Sequence, residues 1–193
     1  MSENKLYIPI LLGTNRRDRQ SAKAADWVYS KIRERDDIEA VFVDVGDFDL
    51  PSDHYGQEIK SDFPEWRDTI VKADGLVIVT PEYNHGYPGI LKSVLDLLLK
   101  EYIHKPVAFV GVSSQMWGGT RVIESLLPIV RELGLSPTFT DLNFPKIESK
   151  FDETGEIKEE IYHKLCKEFL DEMVWMAKTF KHGRQNFPSK YHQ

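Results

Sequence analysis

The sequence predicts an α/β protein whose parallel sheet is covered by helices on both faces. Three observations predict it. Short runs of β-branched and aliphatic residues recur along the chain, apolar enough to be buried on both sides. Helical apolar spacing follows each run. The connections gather Gly, Pro, Asn and hydroxyl residues into clusters. Strands and helices that alternate in this way form parallel crossovers rather than hairpins.

Taken in order, Leu6–Leu12 (LYIPILL) reads as a first strand and Ser21–Arg35 as a helix with Ala22, Ala25, Trp27, Val28 and Ile32 apolar. Alternation over Val41–Val45 gives a second strand, and residues 46–60 form a Gly-, Asp- and Pro-rich loop. Phe63–Ala73 reads as a short helix with Ser61 or Asp62 as its N-cap. Gly75–Thr80 is the third strand, and Ile90–Lys100 the helix after it. Val107–Ser113 is the fourth strand. Gly119–Leu133 follows as a helix kinked by Pro128 and stopped by Gly134. Ser136–Leu142 offers a fifth strand. In the last helix, Glu156–Phe180, a core face collects Ile161, Leu165, Phe169, Met173, Met176 and Phe180. Residues 1–180 are expected to be one domain, and 181–193 a loosely held polar tail.

Bulk properties narrow the function. The 193 residues carry a net charge of −6 with 41% hydrophobic residues, which fits an acidic globular protein. There is no Lys/Arg block, so nucleic acid is not an expected partner. No apolar run reaches membrane-spanning length, and residues 1–5 hold no signal-peptide core. Cys166 is the single cysteine, which excludes an internal disulfide and points to a cytoplasmic location. It reads as a small buried residue of the last helix. The histidines show no ligand spacing, so no metal is assigned.

Three loops at strand ends carry the candidate chemistry. The first, Gly13–Ser21 (GTNRRDRQS), holds neither a dinucleotide fingerprint nor a Walker-type loop. It does join hydroxyls and arginines to a helix start, a combination suited to phosphate. Thr14, Arg16, Gln20 and Ser21 are the donors; the plainer reading is a solvated basic loop with Ser21 as N-cap. The second loop, Pro81–Gly89 (PEYNHGYPG), offers flat aromatic surface, a fixed turn and outward amides from Glu82 to Asn84, as a planar heterocycle needs. Surface packing of Tyr83 and Tyr87 is the plainer reading there, and His85 has no matching nucleophile for a general-base role. The third loop runs from Ser113 to Gly119 (SSQMWGG). Its Gly pair permits a close ligand approach or an unusual turn, and Trp117 reads as a core anchor or a lid. Phosphate beside a flat ring describes a mononucleotide with an extended aromatic base.

These residues resemble the NADPH-dependent FMN reductase family, flavodoxin-like proteins that include azoreductases, quinone reductases and chromate reductases. The matching positions are Gly13, Thr14, Arg16 and Ser21, then Pro81–Gly89 with Leu91, Lys92 and Asp96, then Gly118, Gly119 and Arg121. The resemblance implies a three-layer sandwich with a five-stranded sheet in the order 2-1-3-4-5. It implies FMN as cofactor and NADPH or NADH as co-substrate. Thr14, Arg16, Gln20 and Ser21 would hold the phosphate; Pro81, Glu82, Tyr83 and Asn84 would line the isoalloxazine; Ser113, Gly118 and Gly119 would close the ring's other edge. Hydride would pass from NAD(P)H through FMN to a small acceptor: a quinone, azo compound, free flavin or metal oxyanion. The cofactor carries the chemistry, so no catalytic side chain is named. An electron carrier or a redox-sensing FMN protein is the competing reading.

The chain departs from the family at Ser93 and Leu97, where Asn and an Asp-Trp pair are frequent, and the missing Trp bears on the subunit interface or the substrate pocket. His54 and Tyr55, in the long loop, read as surface or as an overhang above the flavin. The apolar residues of the Ile90–Lys100 helix spread over roughly 200° of its surface, more than one sheet contact covers. A homodimer or tetramer through this helix is therefore expected.

Overall fold

The computed structural model describes residues 5–53 and 56–192. The strands β1 (Leu6–Leu12), β2 (Ile38–Asp44), β3 (Leu76–Pro81) and β4 (Lys105–Val112) lie in the order β2-β1-β3-β4 and run parallel. The fifth position is shared by two short strands, β5 (Leu135–Pro137) and β6 (Leu142–Phe144), which pair with successive halves of β4. The flavodoxin-like order 2-1-3-4-5 is thus present, with its last strand interrupted.

Side-chain alternation sorts the sheet into two cores. Ile8, Ile10, Leu12, Val77, Val79, Ala108 and Val110 face α1 (Ser21–Arg33) and α5 (Ile161–Asn186). Leu11, Leu76, Ile78, Val107 and Phe109 face α2 (Pro64–Lys72), α3 (Gly89–Leu95) and α4 (Thr120–Glu132). Both faces are buried, which is why these strands read as unbroken apolar runs. Among the described residues no helix is long and apolar enough to cross a membrane.

Several boundaries differ from the sequence reading for physical reasons. The N-cap of α1 is Gln20, and Ser21 is its first helical residue. α2 starts at Pro64 after Phe63, because proline presets the first helical φ and neither Ser61 nor Asp62 is needed as a cap. α3 stops at Leu95, and Leu97 and Leu98 turn back to be buried against the chain's own core. The apolar surplus that suggested a subunit contact is therefore covered within the chain. α4 runs through Pro128 and ends as expected at Gly134, whose φ of 78° suits glycine.

The core face of α5 is Tyr162, Cys166, Phe169, Leu170, Met173, Val174 and Ala177. Ile161 and Leu165 lie outside it, exposed. The helix also continues past Phe180 to Asn186, where Lys181 and Arg184 pair with buried Asp74 at 2.8 and 3.1 Å. Burial pushes the Cys166 thiol up to about 12, as befits a small core residue.

Candidate active site

The loops after β1, β3 and β4 are brought side by side because those strands are neighbours. In the first, Gly13 N–H donates to Val79 O at 2.8 Å, fastening the loop to β3. Thr14 is buried, and its Oγ1 accepts from Arg16 N–H at 3.3 Å. Arg16 is exposed, its guanidinium 5.8 Å from the centre of the Tyr83 ring. Arg19 turns away: it donates to Thr14 O at 2.5 Å and forms an ion pair with Asp44. The Gln20 amide reaches back to Asp18 O at 3.4 Å. A surface hollow of about 580 Å³ runs along Asn15–Gln20, Ala22 and Lys23.

Ser21 tests whether an anion fits. Its Oγ is buried without a hydrogen-bond partner. The start of α1 has no side-chain cap and no acidic residue in its first turn. An orphaned hydroxyl at an uncapped helix start is the donor set a phosphate satisfies. The residues present fit FMN at this end.

In the second loop Pro81 closes β3, buried. Glu82 N–H donates to Val112 O at 2.9 Å. Tyr83 and Gly86 exchange two backbone bonds of 2.9 Å, so Asn84 and His85 form a two-residue turn. Both are left-handed, with φ of 50° and 65°. Asn and His are among the non-glycine residues that most often adopt this conformation. The expected row of outward amides is therefore shortened, since those of Glu82 and Tyr83 are spent inside the protein. Tyr83 Oη lies 3.0 Å from Thr14 Oγ1 and joins the first two loops.

Ser113, in the third loop, is zipped to the segment after β6: its N–H donates to Phe144 O and its carbonyl accepts from Ile147 N–H, each at 3.1 Å. Its hydroxyl donates to Gln115 O at 2.8 Å. Gly118 and Gly119 have φ of 60° and 83°. A Cβ on Gly119 would sit 2.5 Å from Val112 N, so this glycine lets the loop press onto β4. The unusual-turn reading is satisfied here without a ligand. Trp117 is 54% exposed and Met116 71%, so Trp117 is not a core anchor.

Residues distant in sequence brace the third loop. Asn143 Nδ2 donates to Gly118 O at 3.0 Å, and Tyr162 Oη donates to Asn143 O at 3.0 Å, bracing the third loop from β6 and α5. No local pattern announces either residue. His85 Nε2 lies 2.9 Å from an Arg121 nitrogen. A guanidinium only donates, so Nε2 accepts and is not free to act as a base. His54 and Tyr55 lie outside the described residues.

A parallel sheet in the order 2-1-3-4-5, with three loops gathered at the carboxyl ends of β1, β3 and β4, defines a flavodoxin-like fold with its candidate site at the ligand-binding edge. The comparisons agree. The sequence profile of the NADPH-dependent FMN reductase family matches residues 6–148, and the chain belongs to that family. It is 33% identical over 180 residues to a 2-hydroxy-1,4-benzoquinone reductase of a Burkholderia species, covering 86% of this chain and 93% of that one. It is 31% identical over 149 residues to an NAD(P)H-dependent FMN reductase of Schizosaccharomyces pombe, covering 72% and 74% respectively. In fold it is similar to the flavoenzyme NAD(P)H:(acceptor) oxidoreductase FerB of Paracoccus denitrificans, with a TM-score of 0.75 over 91% of this chain and 98% of that one at 24% identity.

Proposed function

We propose that the chain binds FMN across the ends of β1, β3 and β4 and moves a hydride equivalent from NAD(P)H to a small planar acceptor of the benzoquinone type. Ser21 carries the reading: a buried, unpartnered hydroxyl at an uncapped helix start, at the end of the loop that holds exposed Arg16. When bound, FMN supplies the two-electron chemistry. The chain's own residues hold and orient it. Arg16 and Ser21 take the phosphate, with Thr14 and Gln20 beside them. Pro81, Glu82, Tyr83 and Asn84 line the ring, and Ser113, Gly118 and Gly119 close its far edge. No side chain is assigned a catalytic role. Similarity to a hydroxybenzoquinone reductase over 86% of the chain supports the acceptor class, as does the apolar rim of Met116 and Trp117.

The domain expected over residues 1–180 is proposed to extend to Asn186, because α5 continues to that residue and Lys181 and Arg184 pair with buried Asp74; a cytoplasmic location is proposed with it. A homodimer is also proposed, now on the exposure of Met116 and Trp117 rather than on α3. Sedimentation showing only monomer at micromolar concentration would overturn the dimer.

The function is tested by reconstituting the protein with FMN and titrating it anaerobically with NADPH. Bleaching of the bound flavin, reversed by a benzoquinone, is the expected result. Bound flavin that NADPH leaves oxidised refutes the reductase, and failure to bind FMN refutes the site.

A further inference from the structure

We infer that Arg121 is a positioning residue that latches together the two loops flanking the flavin site; this rests on the FMN reading above. Arg121 lies in the first turn of α4, immediately after the third loop. Its guanidinium reaches three side chains. One nitrogen is 2.9 Å from His85 Nε2 and 3.6 Å from Glu82 Oε1, both on the second loop. The guanidinium carbon is 5.2 Å from the centre of the Trp117 ring, on the third loop. Arg121 therefore ties both candidate walls of the ring pocket to one charged group.

The surroundings show why a latch is needed. The Asn84–His85 turn holds two non-glycine residues in the left-handed region. Such a conformation persists when neighbouring contacts over-determine it. The exchanged Tyr83 and Gly86 bonds fix the turn's base, and Arg121 fixes its tip through His85. Glu82 supplies the counter-charge. Its side chain is 9% exposed, and its second oxygen is buried without a partner, so this carboxylate depends on Arg121. The contact also selects a His85 tautomer. Nε2 accepts, so the proton resides on Nδ1, the reverse of what a free neutral imidazole favours in water. The Arg121 side chain is 43% exposed, so its loss should leave most of the fold in place while freeing the turn and leaving the Glu82 carboxylate unpaired.

The test uses full-length protein. In apoprotein labelled with ¹⁵N-histidine at mildly alkaline pH, wild type should show His85 as the Nδ1–H tautomer, and R121A should move it towards Nε2–H. The FMN dissociation constant of R121A, read by quenching of flavin fluorescence, should rise about tenfold, as expected for losing a hydrogen bond to a charged group. The visible circular dichroism of the bound flavin should change with it. H85A should weaken FMN in the same direction but by less than R121A, because it leaves the Glu82 and Trp117 contacts in place, and the double variant should be no weaker than R121A. H85Q, whose side-chain oxygen can accept in place of Nε2, should recover most of the affinity. Unchanged FMN affinity and dichroism in R121A overturn the latch alone. FMN affinity that falls as far in H85Q as in H85A also overturns it, by showing that an acceptor at position 85 is not what Arg121 holds. Wild-type protein that binds no FMN overturns the function and the latch together.

Discussion

Thr14 and Tyr83 meet hydroxyl to hydroxyl at 3.0 Å across 69 residues of chain. The contact ties the loop proposed to hold the phosphate to the loop proposed to line the ring. Thr14 Oγ1 already accepts from Arg16 N–H. If Tyr83 donates as well, the Thr14 proton is free for another acceptor. Y83F removes that donor and keeps the ring. A neutral hydrogen bond contributes about 1 kcal/mol, so FMN affinity should fall about fivefold. A fluorescence titration of apoprotein measures it, and an unchanged constant would show that the two loops are set independently.

Arg16 should act on the phosphate and nothing else. It is exposed and held only over the Tyr83 ring at 5.8 Å. Removing a charge-assisted bond costs about 1.5–3 kcal/mol, so R16A should weaken FMN by roughly ten- to a hundredfold. Riboflavin, which lacks the phosphate, should bind wild type and R16A alike. Equal losses for both ligands would move Arg16 from the phosphate to the ring.

Legibility in the sequence followed locality. The centres of β1, β3 and β4 are apolar because both sheet faces are covered, and a one-dimensional reading finds such strands. The fifth strand misled. Three steps along β4, from Val107 to Val110, face five steps from Pro137 to Leu142. The extra length loops out and leaves Phe139 93% exposed, although its alternating neighbours look like a strand. At the candidate site, the turn at Gly118 and Gly119 was readable because their positive φ favours glycine. The pairs Arg19–Asp44 and Arg121–Glu82 were not, since each joins residues that only the fold brings together.

Lys105 predicts a pH dependence of stability. Its ammonium is buried and donates to Ile70 O and to Val71 O, the latter at 3.1 Å, at the end of α2. Burial, with Arg184 nearby, pushes its pKa down to about 8 from an ordinary 10.5. The unfolded chain therefore holds this proton more tightly than the native state does. Below the native value the cost of the buried charge is present in full. It is relieved as pH climbs from about 8 towards 10.5, so this residue's contribution to stability rises over that window. Urea melts of wild type and K105M at steps across this range isolate it. The difference between the two should shift in favour of wild type with rising pH; a constant difference contradicts the assignment.

The last prediction concerns Asp74, which fastens the end of α5 to the amino-terminal end of the sheet. Its carboxylate is 7% exposed and accepts from Lys181 at 2.8 Å, from Arg184 at 3.1 Å and from Tyr7 N–H at 3.1 Å. Arg184 also donates to His104 O at 2.7 Å. Removing one partner of a buried pair leaves the other charge desolvated without compensation. D74A should therefore destabilise by about 3 kcal/mol, at the low end for such pairs because the two cations keep some solvent access. Ending the chain after Phe180 strips both cations and strands the carboxylate, so the truncated protein should lose at least as much. K181A, which leaves Arg184 in place, should lose about 1 kcal/mol. Urea denaturation of the three variants gives the ranking. A truncation without effect would falsify the claim that residues beyond Phe180 are part of the folded unit, and would return them to a loosely held tail.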